Sequence, residues 1–213
     1  KIISNNIIIP FKKNIKFKNV KFKYNESQSY VLNNVNSNIN KGTKVAVIGK
    51  TGVGKSTFID ILMGLLEPTE GHIEIDQNKL SADNLIGWQR KISHVPQEIF
   101  LFDSSIKENI AFNHKQLGKI EMDRVIEISK AAEIHEFISK LPEKYDTVVG
   151  ENGMFLSGGQ KQRIGIARAL YNEKEILTLD EATSALDRDT ERKILNNIIQ
   201  KNITVIQITH RID

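Results

Sequence analysis

Cysteine is absent from this 213-residue chain, which excludes disulfide bonds and thiol catalysis and fits a reducing compartment. Long apolar runs are absent as well. The richest stretch, Phe58 to Leu66, carries Asp60 and is far shorter than the roughly 18 residues of a membrane-spanning helix. A signal-peptide pattern is also lacking, so we expect no direct membrane insertion of these residues. The chain begins at Lys1 without a methionine, and we therefore expect it to be part of a longer protein.

A large excess of one charge is also missing. The 30 Lys and Arg residues face 26 Asp and Glu residues, which gives a net charge of +4. A basic excess can indicate nucleic-acid or anionic-lipid binding. The lysines are scattered, however, and the cluster from Lys12 to Lys23 alternates with apolar residues as the wet face of a strand does. We therefore expect no nucleic-acid partner.

Hydrophobic periodicity divides the N-terminal half into strands and one helix. Apolar and polar residues alternate from Ile15 to Tyr24 and from Val31 to Ile39, which predicts two half-exposed antiparallel strands. Three further elements are predicted: a buried strand over Lys44 to Ile48, a helix over Thr57 to Leu66 and a strand over Gly71 to Asp76.

The period becomes helical from about 97 to 140, where Ser105 and Glu108 form a capping-box pair. An apolar stripe follows and is stopped by Pro142; its members are Met122, Val125, Ile126, Ala132, Ile134, Phe137 and Ile138. Helices and buried strands then alternate: helices at 160–171 and 190–199, strands at 176–179 and 203–209. This pattern predicts an α/β fold with a mainly parallel sheet and an inserted helical subdomain between about 98 and 164.

A glycine-rich segment joins the predicted buried strand to the predicted helix. Gly49-Lys50-Thr51-Gly52-Val53-Gly54-Lys55-Ser56 matches the phosphate-binding pattern Gly-x4-Gly-Lys-Ser/Thr, and Thr57 follows it. Backbone N–H groups and the helix N-terminus bind phosphates in such a loop. Lys55 should bridge the β- and γ-phosphates, and Ser56 should ligate Mg²⁺. A plain glycine-rich turn is the alternative, and the flanking strand and helix favour the phosphate site.

Two carboxylates end a later apolar run. Asp180 and Glu181 follow Ile176 to Leu179, and the carboxyl end of a buried parallel strand lies at the ligand-binding edge of its sheet. We predict that Asp180 orients Mg²⁺ and that Glu181 polarises the attacking water. A solvated acidic turn is the alternative, and the P-loop favours the catalytic pair.

The segment Leu156-Ser157-Gly158-Gly159-Gln160 precedes a predicted helix. A hydroxyl and two glycines at a helix start offer hydrogen-bond donors to an anion. Because the chain's own P-loop already binds phosphates, a second anion site suits a nucleotide held by another copy of the chain.

A P-loop, then Leu-Ser-Gly-Gly-Gln, then an apolar strand with Asp-Glu resembles the nucleotide-binding domain of ATP-binding cassette (ABC) proteins, from about Ile15 to Arg211. The resemblance implies one domain over 1–213, in which 1–97 and 165–213 form a P-loop NTPase core with an N-terminal antiparallel β subdomain. Residues 98–164 would form the helical subdomain that carries the signature. It also implies ATP and Mg²⁺ as ligands, and a head-to-tail homodimer or paired cassette with ATP between the copies.

Further residues match family positions one by one. By this resemblance Tyr24 stacks on adenine, Gln97 reaches Mg²⁺ and the attacking water, and His210 contacts the γ-phosphate. The resemblance also implies that Ser184-Ala185-Leu186-Asp187 crosses the dimer interface, with Asp187 near the nucleotide. Local alternatives remain open: Tyr24 could cap a strand, and Asp187 could cap a helix.

The departures from the family pattern are small. Thr178 stands where an aliphatic residue is more usual, and Gly165 stands where alanine is common. Neither substitution touches the expected chemistry. Because Glu181 and His210 are both present, the resemblance implies an active ATPase.

Two segments, Gln97 to Ile110 and Tyr145 to Gly153, resemble parts of exporters whose membrane and nucleotide domains are fused. The resemblance places both against the transmembrane domain of the same transporter, and the chain at the cytoplasmic face of the inner or plasma membrane. Phe100, Leu101 and Phe102 have two interpretations, a docking groove or core packing.

Trp88 resembles a residue of lipid-linked oligosaccharide or polysaccharide flippases, although one tryptophan does not define a substrate. The leading hypothesis is an ATPase that powers export or lipid flipping. A soluble ABC ATPase of DNA repair or translation is one alternative, and the single cassette without a heptad array counts against it. A non-hydrolysing regulatory module is another, and Glu181 counts against that.

Overall fold

The alternating N-terminal segments form an antiparallel sheet, as predicted. In the computed structural model, which describes residues 9–26, 29–112 and 120–209, strand β1 (Asn14–Phe22) lies between β2 (Leu32–Asn40) and β4 (Glu70–Ile75). Ile15 faces Ile39 on one neighbour and Ile75 on the other, and all three are buried. The short strand β5 (Asn78–Lys79) completes the sheet beside β4. The apolar face of this sheet is therefore part of the core.

The chain divides into two compact units. Unit 1 comprises Lys1–Ile92, Lys174–Asp180 and Ile203–Asp213, and unit 2 comprises Ser93–Glu173 and Glu181–Asn202. Within the described residues, no helix is both long and apolar enough to span a bilayer.

Unit 1 also holds a parallel sheet, in which β8 (Thr204–Thr209) lies between β3 (Lys44–Ile48) and β7 (Ile176–Asp180). A further strand, β6 (Ile92–Val95), begins at the last residue of the first segment of unit 1. Strands β7 and β8 are buried almost throughout, as predicted. The mixed α/β fold expected from the sequence is confirmed.

The prediction that β3 is buried is wrong. Lys44, Ala46 and Ile48 are exposed, and the side chain of Ile48 retains 48% of its accessible surface. Among the described residues β8 is the one strand that pairs with β3, so β3 lies at an edge of the sheet. An apolar sequence does not reveal an edge position, because strand order is set by long-range pairing.

Helix α1 (Lys55–Leu62) ends before the predicted Leu66 because Gly64 adopts a left-handed φ of 68°. The next helix, α2 (Leu85–Gln89), was not predicted, and it supplies Trp88 to the core. The indole N–H of Trp88 donates to the carbonyl of Leu62 at 2.7 Å, and its ring meets Phe11 edge-on. Trp88 therefore satisfies the C-terminal end of α1 as well as filling the core.

Asp76 fastens the start of β1 to the end of β4. Its carboxylate accepts hydrogen bonds from the backbone N–H groups of Lys12, Lys13 (2.8 Å) and Asn14 (2.9 Å). Partial burial alone would raise the pKa of the Asp76 carboxyl, but these donors hold it below the ordinary value of 3.8.

We expect Asp76→Ala to lower the free energy of unfolding by about 1 to 2 kcal/mol near neutral pH, because charged hydrogen bonds are lost at a partly solvated site. A depressed pKa stabilises the fold above the unfolded-state pKa, and that stabilisation disappears as pH falls through the folded-state value. The difference between variant and parent should therefore shrink below about pH 4. Urea unfolding along a pH series measures it, with exposed Asp83→Ala as control; a difference that does not change with pH contradicts the assignment.

Unit 2 is mainly helical. Its helices are α3 (Ile106–Ile110), α4 (Met122–Ala131), α5 (His135–Ser139), α6 (Gly158–Tyr171) and α7 (Arg188–Ile199), with short 3₁₀ turns at Lys144–Asp146 and Glu151–Gly153. The predicted capping box is confirmed: the Ser105 side chain accepts from the N–H of Glu108, and the Glu108 carboxylate accepts from the N–H of Ser105. The core includes four members of the predicted stripe, Val125, Ala132, Ile134 and Ile138.

Candidate functional site

The glycine-rich loop of unit 1 connects β3 to α1 and can be built only with glycine at its last turn. Gly54 precedes the helix with a left-handed φ of 94°. A Cβ atom there would lie 2.9 Å from Val31 Cγ1 and 3.1 Å from the carbonyl oxygen of Val31. Both conformation and space therefore require glycine.

The same loop curls around the ammonium group of Lys55. This side chain is 7% exposed, and its Nζ donates to the carbonyl oxygens of Gly49 and Lys50, each at 3.0 Å. The charge lies at the N-terminus of α1, where backbone N–H groups lack intrahelical acceptors. A cation, open N–H groups and a helix dipole together form an anion site.

The strand register brings Asp180 to the same edge of the parallel sheet. Ile48 at the end of β3 pairs with Thr209, and Asp180 at the end of β7 pairs with Ile208. Two strand spacings separate the ends of β3 and β7, about 10 Å. His210, the next residue after Thr209, lies outside the described residues. In unit 1 the sequence-predicted phosphate loop and Asp180 therefore end on one sheet edge.

Tyr24 stands beside helix α1. Its hydroxyl shares a 3.0 Å hydrogen bond with Thr57 Oγ1, and its ring meets the ring of Phe22 edge-on at 4.9 Å. The side chain is 55% exposed. The ring is held in place and still accessible to a planar ligand, which suits the predicted stacking role better than a simple strand cap.

In unit 2, Gln97 and Glu181 meet. The Gln97 amide nitrogen donates to the Glu181 carboxylate at 3.2 Å, although the two residues are far apart in sequence. Glu181 follows β7 directly and adopts a left-handed φ of 49°. Such a conformation is uncommon for residues other than glycine and is often found at functional sites. The structure thus pairs two residues that the sequence analysis assigned to the attacking water.

The signature segment begins α6. Ser157 is the N-cap: its hydroxyl accepts from the N–H of Gln160 at 3.3 Å, and its own N–H donates to the Gln160 side chain at 2.7 Å. This second capping box was not predicted, although Ser-x-x-Gln is its usual sequence pattern. Gly158 and Gly159 occupy the first turn, so their N–H groups point out of the helix end.

Gln162, which the sequence analysis missed, fastens the segment Ser184 to Asp187 to the signature helix. Its side chain donates to Ser184 Oγ at 3.1 Å and accepts from the N–H of Ala185 at 3.0 Å. Gly159 approaches the same segment so closely that a Cβ atom would lie 3.1 Å from the carbonyl oxygen of Ala185. These two predicted interface segments therefore form one surface of unit 2.

Asp187 caps helix α7, which is one of the two interpretations given to it. Its carboxylate accepts from the N–H of Thr190 at 2.9 Å. The hydrogen bond from the Thr190 backbone is the main cause that lowers the pKa of the Asp187 carboxyl below 3.8. The residue is exposed, so the cap leaves it accessible from outside unit 2.

The apolar residues after Gln97 divide between the core and the surface. Leu101 is fully buried, whereas Phe100 and Phe102 remain 58% and 41% exposed. The ring of Phe102 stacks on Phe112 at 4.9 Å and meets Phe100 edge-on at 5.2 Å. Core packing is therefore the correct interpretation for Leu101 and the wrong one for Phe100 and Phe102, for which a docking role stays a prediction.

The segment from Tyr145 to Gly153 is tied to the start of α3. The N–H of Ile106 donates to Thr147, and the N–H of Val149 donates to Ser104, which leaves Val148 half exposed between them. The two segments that resemble parts of exporters are thus neighbours in unit 2.

A P-loop at the edge of a parallel sheet, with a carboxylate on a nearby strand end, defines a P-loop nucleotide-binding domain. The chain matches the model of the ABC transporter family over residues 32–184, and it belongs to that family. The resemblance found in the sequence is confirmed.

Named relatives cover nearly the whole chain. It is 43% identical to the ABC transporter ATP-binding protein YfiB of Bacillus subtilis over 198 residues, 93% of this chain and 34% of the relative. It is 43% identical to the alpha-hemolysin translocation ATP-binding protein HlyB of Escherichia coli O157:H7, over 97% of this chain and 29% of the relative. It is 38% identical to the ATP-dependent lipid A-core flippase of Chromohalobacter salexigens, over 93% of this chain and 34% of the relative.

A solved structure shows the same fold. A bacterial Atm1-family ABC exporter with ATP bound aligns with a TM-score of 0.89 and 36% identity, over 98% of this chain and 36% of that one. The chain therefore spans about a third of the length of the relatives it matches.

Proposed function

We propose that this chain binds and hydrolyses ATP, and that ATP-dependent dimerisation of two copies powers export or lipid flipping by an associated transmembrane domain. The pairing of Gln97 with the Glu181 carboxylate carries the hydrolytic part of this proposal. A domain that only binds nucleotide has no need of a carboxylate poised after β7. The family and its exporter and flippase relatives support the transport part.

The P-loop of unit 1 would bind the phosphates. Lys55 would exchange its two carbonyl acceptors for β- and γ-phosphate oxygens, at little cost because the ammonium is already positioned. Backbone N–H groups from Gly49 through Thr57 would surround the same oxygens. Tyr24 would stack on adenine through its exposed ring face.

The residues present suit Mg²⁺. Ser56 offers a hydroxyl in the first turn of α1, and Asp180 offers a carboxylate at the same sheet edge. By the family resemblance, the amide oxygen of Gln97 would be a further ligand. Oxygen ligands of this kind, completed by water and phosphate, are those that Mg²⁺ prefers. When bound, the ion would neutralise charge that develops on the transferred phosphoryl group.

Hydrolysis would proceed by in-line attack of water on the γ-phosphorus. Glu181 accepts the proton of the water while Gln97 orients it; the bond from the γ-phosphorus to the bridging oxygen breaks, and ADP and inorganic phosphate leave. By the family resemblance, His210, the residue that follows Thr209 in the sequence, would contact the γ-phosphate. Lys55 stabilises the charge on the oxygens during the transfer.

The signature surface of unit 2 would act on the nucleotide of a second copy. Ser157, Gly158 and Gly159 present a hydroxyl and N–H groups at a helix N-terminus, and the capping box holds Gln160 beside them. Asp187 lies on the segment that Gln162 fastens to this surface. Two copies paired head to tail would enclose two ATP molecules, each contacted by the P-loop of one copy and the signature of the other.

The aromatic surface of Phe100, Phe102 and Phe112, with half-exposed Val148, would contact the transmembrane domain. Surface aromatic rings in contact are typical of protein interfaces. This contact would place the chain at the cytoplasmic face of the membrane and transmit the state of the nucleotide to the membrane helices.

Phosphate release from ATP by the intact protein tests the proposed function. We expect release that requires Mg²⁺ and stops when EDTA removes the metal, while nucleotide binding persists more weakly. Calorimetric ATP binding with no phosphate release above a protein-free blank would contradict hydrolysis and would favour the regulatory module.

A further inference from the structure

Gly165 lies in the middle of α6, where glycine weakens a helix, and there the side chain of Ile99 rests directly on it. A Cβ atom on Gly165 would lie 2.7 Å from Ile99 Cδ1 and 3.0 Å from both Cγ1 and Cγ2. Gly165 is fully inside the protein. The absence of a methyl group at this position is therefore what lets Ile99 approach the helix backbone.

Arg168, on the same face of α6 three residues later, holds the chain that follows Ile99. Its guanidinium donates to the carbonyl oxygen of Phe100 at 2.8 Å, to the carbonyl oxygen of Asn109 at 2.8 Å and to Asn109 Oδ1 at 2.9 Å. The Asn109 side chain in turn accepts from the N–H of Phe102 at 2.9 Å and donates to its carbonyl at 3.0 Å. All backbone groups in this set belong to 100–109.

We propose that Gly165 and Arg168 are positioning residues for hydrolysis, because they seat residues 99–102 on the signature helix and thereby fix Gln97 beside Glu181. Gln97 is only two residues before Ile99, so the packing of residues 99–102 on α6 limits how far Gln97 can move. This inference rests on the proposed function, since it assigns these two residues a part in that reaction. It also revises the expectation from the sequence that glycine at position 165 leaves the chemistry untouched.

Helix α6 would therefore have two roles: it holds residues 99–102, and it begins with the signature. The helix begins at Ser157, which would contact the nucleotide of the second copy, and through Gln162 it holds Ser184 and Ala185. Because a helix of 14 residues moves as one body, a displacement of its N-terminus also displaces Gly165, on which Ile99 rests. Binding of the signature to the nucleotide of a second copy would thereby shift the position of Gln97.

The test uses Gly165→Ala in the intact protein. The added methyl must push Ile99 away, and we expect kcat for ATP hydrolysis to fall about tenfold while KM stays within about twofold, since misplacement of a catalytic group affects the reacting state. Hydrogen exchange of the amides at 99–102 should become several-fold faster. Adding Ile99→Val removes the closest atom, Cδ1, and leaves Cγ1 and Cγ2 at 3.0 Å, so it should restore kcat and protection in part.

Gly87→Ala in α2 is the matched control, because it adds a methyl to another helical glycine and leaves 99–102 unchanged. Gly87→Ala should favour its helix and raise Tm, whereas at Gly165 the displacement of Ile99 opposes the same gain. A Gly165→Ala variant with parental kcat and parental exchange overturns the proposal. So does a loss of kcat that Ile99→Val does not reverse even in part.

Arg168→Lys keeps the positive charge but loses the several N–H donors of the guanidinium. It replaces Gly165→Ala as the test variant if Gly165→Ala does not fold. It should speed exchange at 100–109 and lower kcat; parental values of both overturn the proposal. If the unsubstituted protein releases no phosphate from ATP, the proposed function fails by itself. Hydrogen exchange then tests by itself whether Gly165 and Arg168 hold residues 99–102 on α6. Unchanged protection at 99–102 in both variants contradicts this.

Discussion

Replacing Glu181 with Gln should lower phosphate release by about a hundredfold to ten-thousandfold, the usual contribution of a general base. The amide keeps the size of the carboxylate and can still accept the hydrogen bond from Gln97, so the geometry is preserved. What is lost is the ability to take a proton from the attacking water. ATP would then stay bound, and the ATP-bound dimer would accumulate.

Two measurements check this prediction: phosphate release, and the elution volume on a sizing column with and without ATP. Glu98→Gln is the matched control, because Glu98 is exposed and follows Gln97 directly. It should behave as the parent does in both assays. Hydrolysis by Glu181→Gln at the parental rate would remove Glu181 from the mechanism.

Ser157→Arg is expected to lower hydrolysis at least about a hundredfold while ATP binding changes less than about threefold. The large cation replaces the hydroxyl at the N-terminus of α6 that would contact the nucleotide of the second copy. It also removes the N-cap, which should cost about 1 kcal/mol of stability. Binding survives because the P-loop lies in unit 1, whereas Ser157 lies in unit 2.

Ser139→Arg places the same side chain at an exposed serine at the end of α5 and should leave hydrolysis unchanged. A mixture of Ser157→Arg and Glu181→Gln chains sharpens the test. In a mixed head-to-tail dimer one site has both an intact Glu181 and an intact signature, so random pairing restores about a quarter of the parental activity. If ATP binding fell together with hydrolysis, or if mixing restored nothing, the signature would not act on the nucleotide of another copy.

Local chemistry made much of the fold predictable. The alternation from Ile15, the continuous apolar run from Ile176 and the Ser105 capping box each indicate one structure whatever the rest of the chain does, and each was found as predicted. The exposure of β3 was missed, because the position of a strand in its sheet depends on partners remote in sequence. Helix α2 was missed because five residues are too few for a helical period to show.

The residues of the candidate site divide in the same way, into those that a local pattern predicts and those that depend on long-range contacts. Sequence motifs identify Lys55, Asp180 and Ser157. In contrast, Gln162 and Arg168 act by holding segments that are distant along the chain. No spacing rule reveals such a contact. The roles given to the motif residues, including His210, remain predictions until the variants are measured.

Strand β3 has a practical consequence for these experiments. Among the described residues its outer side carries backbone donors and acceptors without a strand partner, next to the exposed side chain of Ile48. Such an edge is prone to pair with its equivalent in another molecule, and purified material could oligomerise in this way without nucleotide. Association of this kind is as strong in the presence of EDTA as with ATP. A dimer is therefore informative about catalysis only where it forms on addition of ATP and disperses once the nucleotide is removed.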